Sequence, residues 1–124
     1  MTHKILIADD EPNIVISLEF LMKREGYEVS VARDGPAALA AIRSERPHLV
    51  LLDVMMPGMS GFEVCQAVRG DESLAGVRIV MLTAKGRDTD LAKGTALGAD
   101  AYVTKPFSTR ELAERVRELL APAA

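Results

Sequence analysis

The sequence predicts an α/β domain on one doubly wound, five-stranded parallel sheet with five helices, and three observations carry that prediction. Short strand-like runs alternate with stretches of helical character, the pattern of parallel strands under covering helices. The first, third and fourth runs are continuously apolar, as strands buried on both faces are. Asp9-Asp10, Asp53 and Thr83 follow these three runs in turn, and Lys105 follows the last run, Ala101-Tyr102-Val103. In a parallel sheet the C-terminal strand ends share one edge, where ligands bind.

The elements follow in order. Ile5-Leu6-Ile7-Ala8 is the first strand. Pro12 suits the first turn of a helix whose stripe of Ile14, Leu18, Leu21 and Met22 ends before Gly26. Glu28 to Ala32 alternates polar and apolar, as an exposed edge strand does. A second helix, from about Pro36 to Arg43, turns Ala38, Leu39 and Ile42 inward, and Leu49-Val50-Leu51-Leu52 forms a buried central strand. Gly61 to Arg69 is a third helix carrying Val64, Ala67 and Val68, with Gly70 helping to end it. Ile79-Val80-Met81-Leu82 is the fourth strand. The fourth helix, around Thr89 to Leu97, has Gly94 and Thr95 in its interior, and a mid-helix Gly costs roughly 1 kcal/mol against Ala. This element is expected to be among the least stable locally, which suits a switch. Ala101-Tyr102-Val103 is the last strand. The last helix starts on a Ser108/Glu111 capping-box pattern and repeats Leu112, Val116, Leu119 and Leu120 on one face.

Composition bounds the function. One domain is expected over residues 1–124, with a core at about 4–120 and a short Ala/Pro tail at 121–124. At this length ~65% of the unfolded surface is buried. The net charge of −3 gives no electrostatic case for binding nucleic acid or an anionic membrane. Cys65, the lone cysteine, excludes an internal disulfide framework and fits a reducing cytoplasm. No charged-then-apolar leader and no apolar run of about 18 residues occurs, so a cytoplasmic location is expected. Phosphate-loop, dinucleotide and zinc spacings are missing, and His3 and His48 have no partners that suggest a metal site.

Three carboxylates brought together repel by up to about 4 kcal/mol per pair at ~4 Å and an effective dielectric near 20. Such a cluster invites a hard cation, and Mg²⁺ takes one or two carboxylates while coordinating phosphate oxygens. A carboxylate is also a nucleophile that forms aspartyl phosphates, and Lys105 and Thr83 supply a charge and a hydroxyl donor to phosphoryl oxygens. Singly, each residue has a plainer reading. An Asp pair ending a strand is often a turn and helix N-cap, Asp53 before Pro57-Gly58 a solvated turn, Thr83 a cap, and Lys105 a surface lysine. Jointly they read as a phosphoryl acceptor.

Four segments together resemble the response-regulator receiver domain of two-component signalling, from Ile5 to about Leu120. They are Ala8-Asp9-Asp10-Glu11, Leu52-Asp53-Val54-Met55-Met56-Pro57-Gly58-Met59-Ser60-Gly61, Leu82-Thr83-Ala84 and Thr104-Lys105-Pro106-Phe107. The resemblance implies a flavodoxin-like, chemotaxis-receiver-like sheet of order 2-1-3-4-5. It implies that Asp53 takes phosphate from a histidine kinase or phosphotransfer protein, and that Asp9, Asp10, Asp53 and the Met55 carbonyl hold Mg²⁺. Asp10 would ligate directly and Asp9 through a water. Lys105 and Thr83 would bind the phosphoryl group, and Tyr102 would be the aromatic switch that carries the signal to an output partner. The family aims its lysine with a cis bond, expected here at Lys105-Pro106.

Local departures from the family refine these expectations. Met55 and Lys85 flank the path of an attacking water in receivers, and an apolar Met55 implies slow self-dephosphorylation. Lys93, Asp100, Glu111 and Arg115 resemble the dimer face of receivers joined to winged-helix domains, though Ala96 and Ala101 stand where acidic residues are usual. These two losses weaken the case for a phosphorylation-dependent homodimer without excluding one, since surface ion pairs contribute little individually. Two rivals remain: a pseudo-receiver that binds a partner unphosphorylated, and an Asp-nucleophile phosphatase, whose motif needs an acid where Met55 stands.

Overall fold

The structure, a computed structural model, describes residues 2–84 and 97–121. Five parallel strands form one sheet in the order β2-β1-β3-β4-β5: β1 (Lys4–Ala8), β2 (Glu28–Ala32), β3 (Leu49–Asp53), β4 (Arg78–Ala84) and β5 (Ala101–Lys105). Four α-helices are present among the described residues: α1 (Pro12–Arg24), α2 (Gly35–Glu45), α3 (Gly61–Arg69) and α4 (Thr109–Leu120). A 3₁₀ turn covers Glu72–Leu74. The helix expected at 89–97 lies, apart from Leu97, outside the described residues, as do Lys85, Lys93 and Ala96.

The continuous apolar runs are explained by the two faces they serve. Side chains alternate across a strand. Leu6, Ala8, Val50, Leu52, Ile79 and Met81 therefore face Ala38, Leu39 and Ile42 of α2 and Val64 and Val68 of α3. Ile5, Ile7, Leu49, Leu51, Val80 and Leu82 face Val15, Leu18, Leu21 and Met22 of α1 and Leu112 and Val116 of α4. Burying each such aliphatic side chain contributes roughly 1.5–3 kcal/mol before entropy is counted. β2, at the sheet edge, is only partly covered, as its alternating sequence predicts.

Helix ends account for where the elements sit. Pro12 opens α1, and Gly26, at φ +91°, turns the chain out of it. α2 is longer than the expected Pro36 to Arg43 at both ends. Asp34 caps its start by accepting the Ala37 N–H at 2.7 Å, and Arg46 closes it in the left-handed region at φ 48°. Ser60 and Glu63 form a reciprocal capping box at α3, and Ser108 caps α4 by accepting the Glu111 N–H at 3.2 Å. No helix of the described residues is long and apolar enough to cross a membrane.

Candidate functional site

Register assembles the site. Ala8 pairs with Leu52, Asp53 with Leu82, and Ala84 with Lys105, so β1, β3, β4 and β5 finish on one edge. Asp9, the residue after β1, is fully buried, and its N–H donates to Ala32 O at 3.1 Å, which ties it to β2. Its Oδ1 accepts the Glu11 N–H at 2.9 Å. Asp10 is exposed at the mouth of the edge. Glu11 occupies the N-cap position of α1 without a side-chain cap bond, so the plain capping reading of the acid pair does not describe this turn.

Asp53 ends β3 with its side chain 7% exposed, and its Oδ1 accepts the Met55 N–H at 3.3 Å. The loop beyond it is folded back tightly: Val54 N–H donates to Leu82 O at 3.0 Å and Gly61 N–H to Val54 O at 2.8 Å. Gly61 is required here, because a Cβ would run into the Asp53 carbonyl oxygen. Gly58, at φ +81°, makes the turn within the loop.

Lys105 reaches back across the sheet from the end of β5. Its Nζ lies 3.0 Å from Asp9 Oδ2, 3.0 Å from Glu11 Oε1 and 3.5 Å from Asp53 Oδ1. The Lys105-Pro106 bond is cis. Thr83 is buried near the end of β4, next to Ala84, which lines the site's cavity of about 260 Å³ with Asp10, Glu11, Asp53, Val54, Met55 and Lys105. Tyr102 stands earlier on β5, half-buried against the layer beneath α2 and α3. It lines a second surface cavity of about 320 Å³, whose walls include Glu111 and Arg115.

Burial pushes the Asp53 carboxyl up to about 7, and the neighbouring Asp9 charge adds to that push against the opposing pull of Lys105 and the Met55 N–H. Burial works against the Lys105 ammonium, but the Asp9, Glu11 and Asp53 carboxylates outweigh it and raise its pKa above the ordinary lysine value.

The same charges fit a hard cation. One oxygen from each of Asp9, Asp10 and Asp53 lies within 4.8 Å of the others. Asp9 Oδ2 is buried without a hydrogen bond, because the Lys105 ammonium beside it is not aligned to donate. An orphaned buried carboxylate oxygen in an all-oxygen set suits a small divalent ion such as Mg²⁺ or Mn²⁺.

The sequence pattern of the response regulator receiver domain matches residues 5–117. The chain belongs to the response-regulator receiver family. Over 120 residues this receiver is 48% identical to the DNA-binding response regulator MtrA of Mycolicibacterium smegmatis, covering 97% of this chain and 51% of that protein. It thus spans about half the length of that relative. The chemotaxis response regulator CheY4 of Vibrio cholerae superposes with a TM-score of 0.90 at 33% identity, over 97% of this chain and 100% of that one. The DrrB receiver domain, solved in a BeF3-activated state, superposes at 0.86 and 33% identity, over 97% and 98%. The receiver fold of β2-β1-β3-β4-β5 order and the membership in two-component signalling expected from the four motifs are both borne out.

The receiver's edge brings together Asp9, Asp10, Asp53 and Lys105, with Met55 at the cavity rim and Thr83 buried alongside. Of the expected dimer face, Glu111 and Arg115 share the Tyr102 cavity, while Asp100 is engaged within the chain. Its Oδ2 accepts from Arg69 Nη2 and from the Ile79 N–H, both at 2.7 Å. Sequence reading gave Glu11 no role. The signal for it is faint: a third acid directly after an acid pair at a strand end.

Proposed function

We propose that this receiver accepts a phosphoryl group on Asp53 from a histidine kinase or phosphotransfer protein, and that the modified state acts on an output partner through Thr83 and Tyr102. The observation that carries the reading is a solvent-reachable cavity in which a nearly buried Asp53 faces Asp9, Asp10 and Lys105. In the transfer, an ionised Asp53 oxygen attacks phosphorus of a phosphohistidine. The O–P bond forms as the P–N bond breaks, and the imidazole leaves and takes up a proton.

Asp9, Asp10, Asp53 and the Met55 carbonyl would hold Mg²⁺, whose charge offsets that of the phosphoryl oxygens during transfer. Lys105, already within 3.5 Å of Asp53, contributes a fixed ammonium to the same oxygens, and the buried Thr83 contributes a hydroxyl donor. Hydrolysis reverses the modification: water attacks phosphorus and phosphate leaves Asp53. The exposed Met55 side chain at the rim offers no group to orient that water, so the phosphorylated state is long-lived.

The domain works in the cytoplasm as a signalling switch that modifies only itself. Its net charge of −3 supports a protein rather than a nucleic acid as direct partner. Any phosphorylation-dependent homodimer would use the face beside Tyr102, which Glu111 and Arg115 line. The test is intact mass after incubation with acetyl phosphate and Mg²⁺. A single phosphoryl adduct that a chelator abolishes supports the proposal, and an unmodified protein with both acetyl phosphate and a histidine-kinase donor overturns it.

A further inference from the structure

Lys105 is held by the wrong partners for its task. Its Nζ is 3.5 Å from Asp53, the proposed acceptor, yet 3.0 Å from both Asp9 and Glu11. Of the two closer contacts, only Glu11 Oε1 accepts an aligned hydrogen bond. Glu11 is unlike Asp9 and Asp53, the buried carboxylates beside Lys105. It is 59% exposed, stands at the start of α1, and reaches a lysine 94 positions away in sequence. An exposed carboxylate that releases its partner is rehydrated, whereas the fully buried Asp9 has no such recourse.

From this arrangement we infer that Glu11 is a positioning residue, a resting-state tether that competes with a phosphoryl group on Asp53 for the Lys105 ammonium. The inference rests on the phosphoryl-acceptor reading and deepens it. A phosphoryl group on Asp53 places anionic oxygens where Lys105 reaches by leaving Glu11, and the Glu11 carboxylate turns into water. The tether sets how tightly the modified state is held, so the resting state is favoured by an interaction outside the acceptor and its metal ligands. Removing the Glu11 charge frees Lys105 and stabilises the modified state by about two- to five-fold, the range an exposed ion pair commands.

The experiment compares wild type, Glu11→Gln and the control Glu19→Gln, a distant α1 glutamate paired with Lys23. Two readouts are taken by NMR: the affinity for beryllofluoride, a phosphoryl mimic, in the presence of Mg²⁺, and the Lys105 side-chain ¹⁵Nζ resonance without it. The expected result is about two- to five-fold tighter binding by Glu11→Gln, no change in Glu19→Gln, and a displaced Lys105 ¹⁵Nζ resonance in ligand-free Glu11→Gln. Equal or weaker binding by Glu11→Gln overturns the tether. So does tighter binding with an unmoved ¹⁵Nζ resonance, since a through-space charge effect alone produces that. If wild type itself does not bind beryllofluoride, the phosphoryl-acceptor reading fails first and the tether's function falls with it.

Discussion

Replacing Asp53 by Asn should stabilise the metal-free protein at alkaline pH. Asp53 is 5% exposed beside the fully buried Asp9, and its pKa of about 7 stands well above the ~3.9 of an unfolded chain. Between those values the folded state binds the extra proton, so stability declines as pH rises from about 4 through about 7. At about 1.4 kcal/mol per pKa unit, keeping Asp53 ionised in the fold costs about 4 kcal/mol at most. Asp9 shares that repulsion and Lys105 loses an ion-pair partner in the variant, so the expected net gain is about 1–3 kcal/mol. The amide oxygen still accepts the Met55 N–H, which limits any cost to the loop. Urea denaturation in chelator, at pH about 8 and about 5, measures the effect, and the advantage of Asp53→Asn should shrink at the lower pH. Added Mg²⁺ should narrow the difference. Wild type gains about 1.4 kcal/mol at about ten times its dissociation constant, and the variant, one carboxylate short, gains less. Equal stability of the two proteins at both pH values would rule out a destabilising Asp53 charge, as would a variant less stable than wild type in chelator.

Three further outcomes follow from the packing around the site. Gly61→Ala should destabilise by about 1–3 kcal/mol, because its Cβ meets the Asp53 carbonyl, and a thermal melt reads the loss. Ser60→Ala removes one half of the α3 capping box and should lower stability by about 1 kcal/mol in urea, with Mg²⁺ affinity unchanged. Arg69→Ala strips three hydrogen bonds that join α3 to Gly98 O, Val77 O and Asp100 at the entry to β5. It should cost about 2–4 kcal/mol and raise hydrogen exchange of the amides of residues 98–101 above that of β1.

The sheet was legible because both faces are covered. Continuous apolar runs in β1, β3 and β4 have no solvent face to alternate with, and β2 betrayed its edge position by alternating. Asp9, Asp10, Asp53 and Lys105 were legible as a cluster for the same reason: a parallel sheet delivers the residues that follow its strands to one edge. What escaped has no local signature. Arg46 ends α2 in a left-handed turn without being a glycine, so nothing marks the extra residues at that end. Asp100 was placed on a partner-facing surface by resemblance, yet its carboxylate is engaged by Arg69 and the Ile79 N–H, across 31 and 21 positions. Glu11 pairs with Lys105 across 94 positions, and only the closed sheet puts them together. Strand ends mark the acid cluster in the sequence, whereas the Glu11–Lys105 pair leaves no such mark.

Reductive trapping identifies the phosphoryl acceptor, proposed as Asp53, chemically. Borohydride converts an aspartyl phosphate to homoserine, and peptide mapping then locates the changed residue. After acetyl phosphate and Mg²⁺, homoserine is expected at position 53 alone, with none when a chelator replaces the metal. Homoserine at position 9 or 10, or an unchanged peptide spanning Asp53 in protein that has gained phosphoryl mass, would contradict Asp53 as the acceptor.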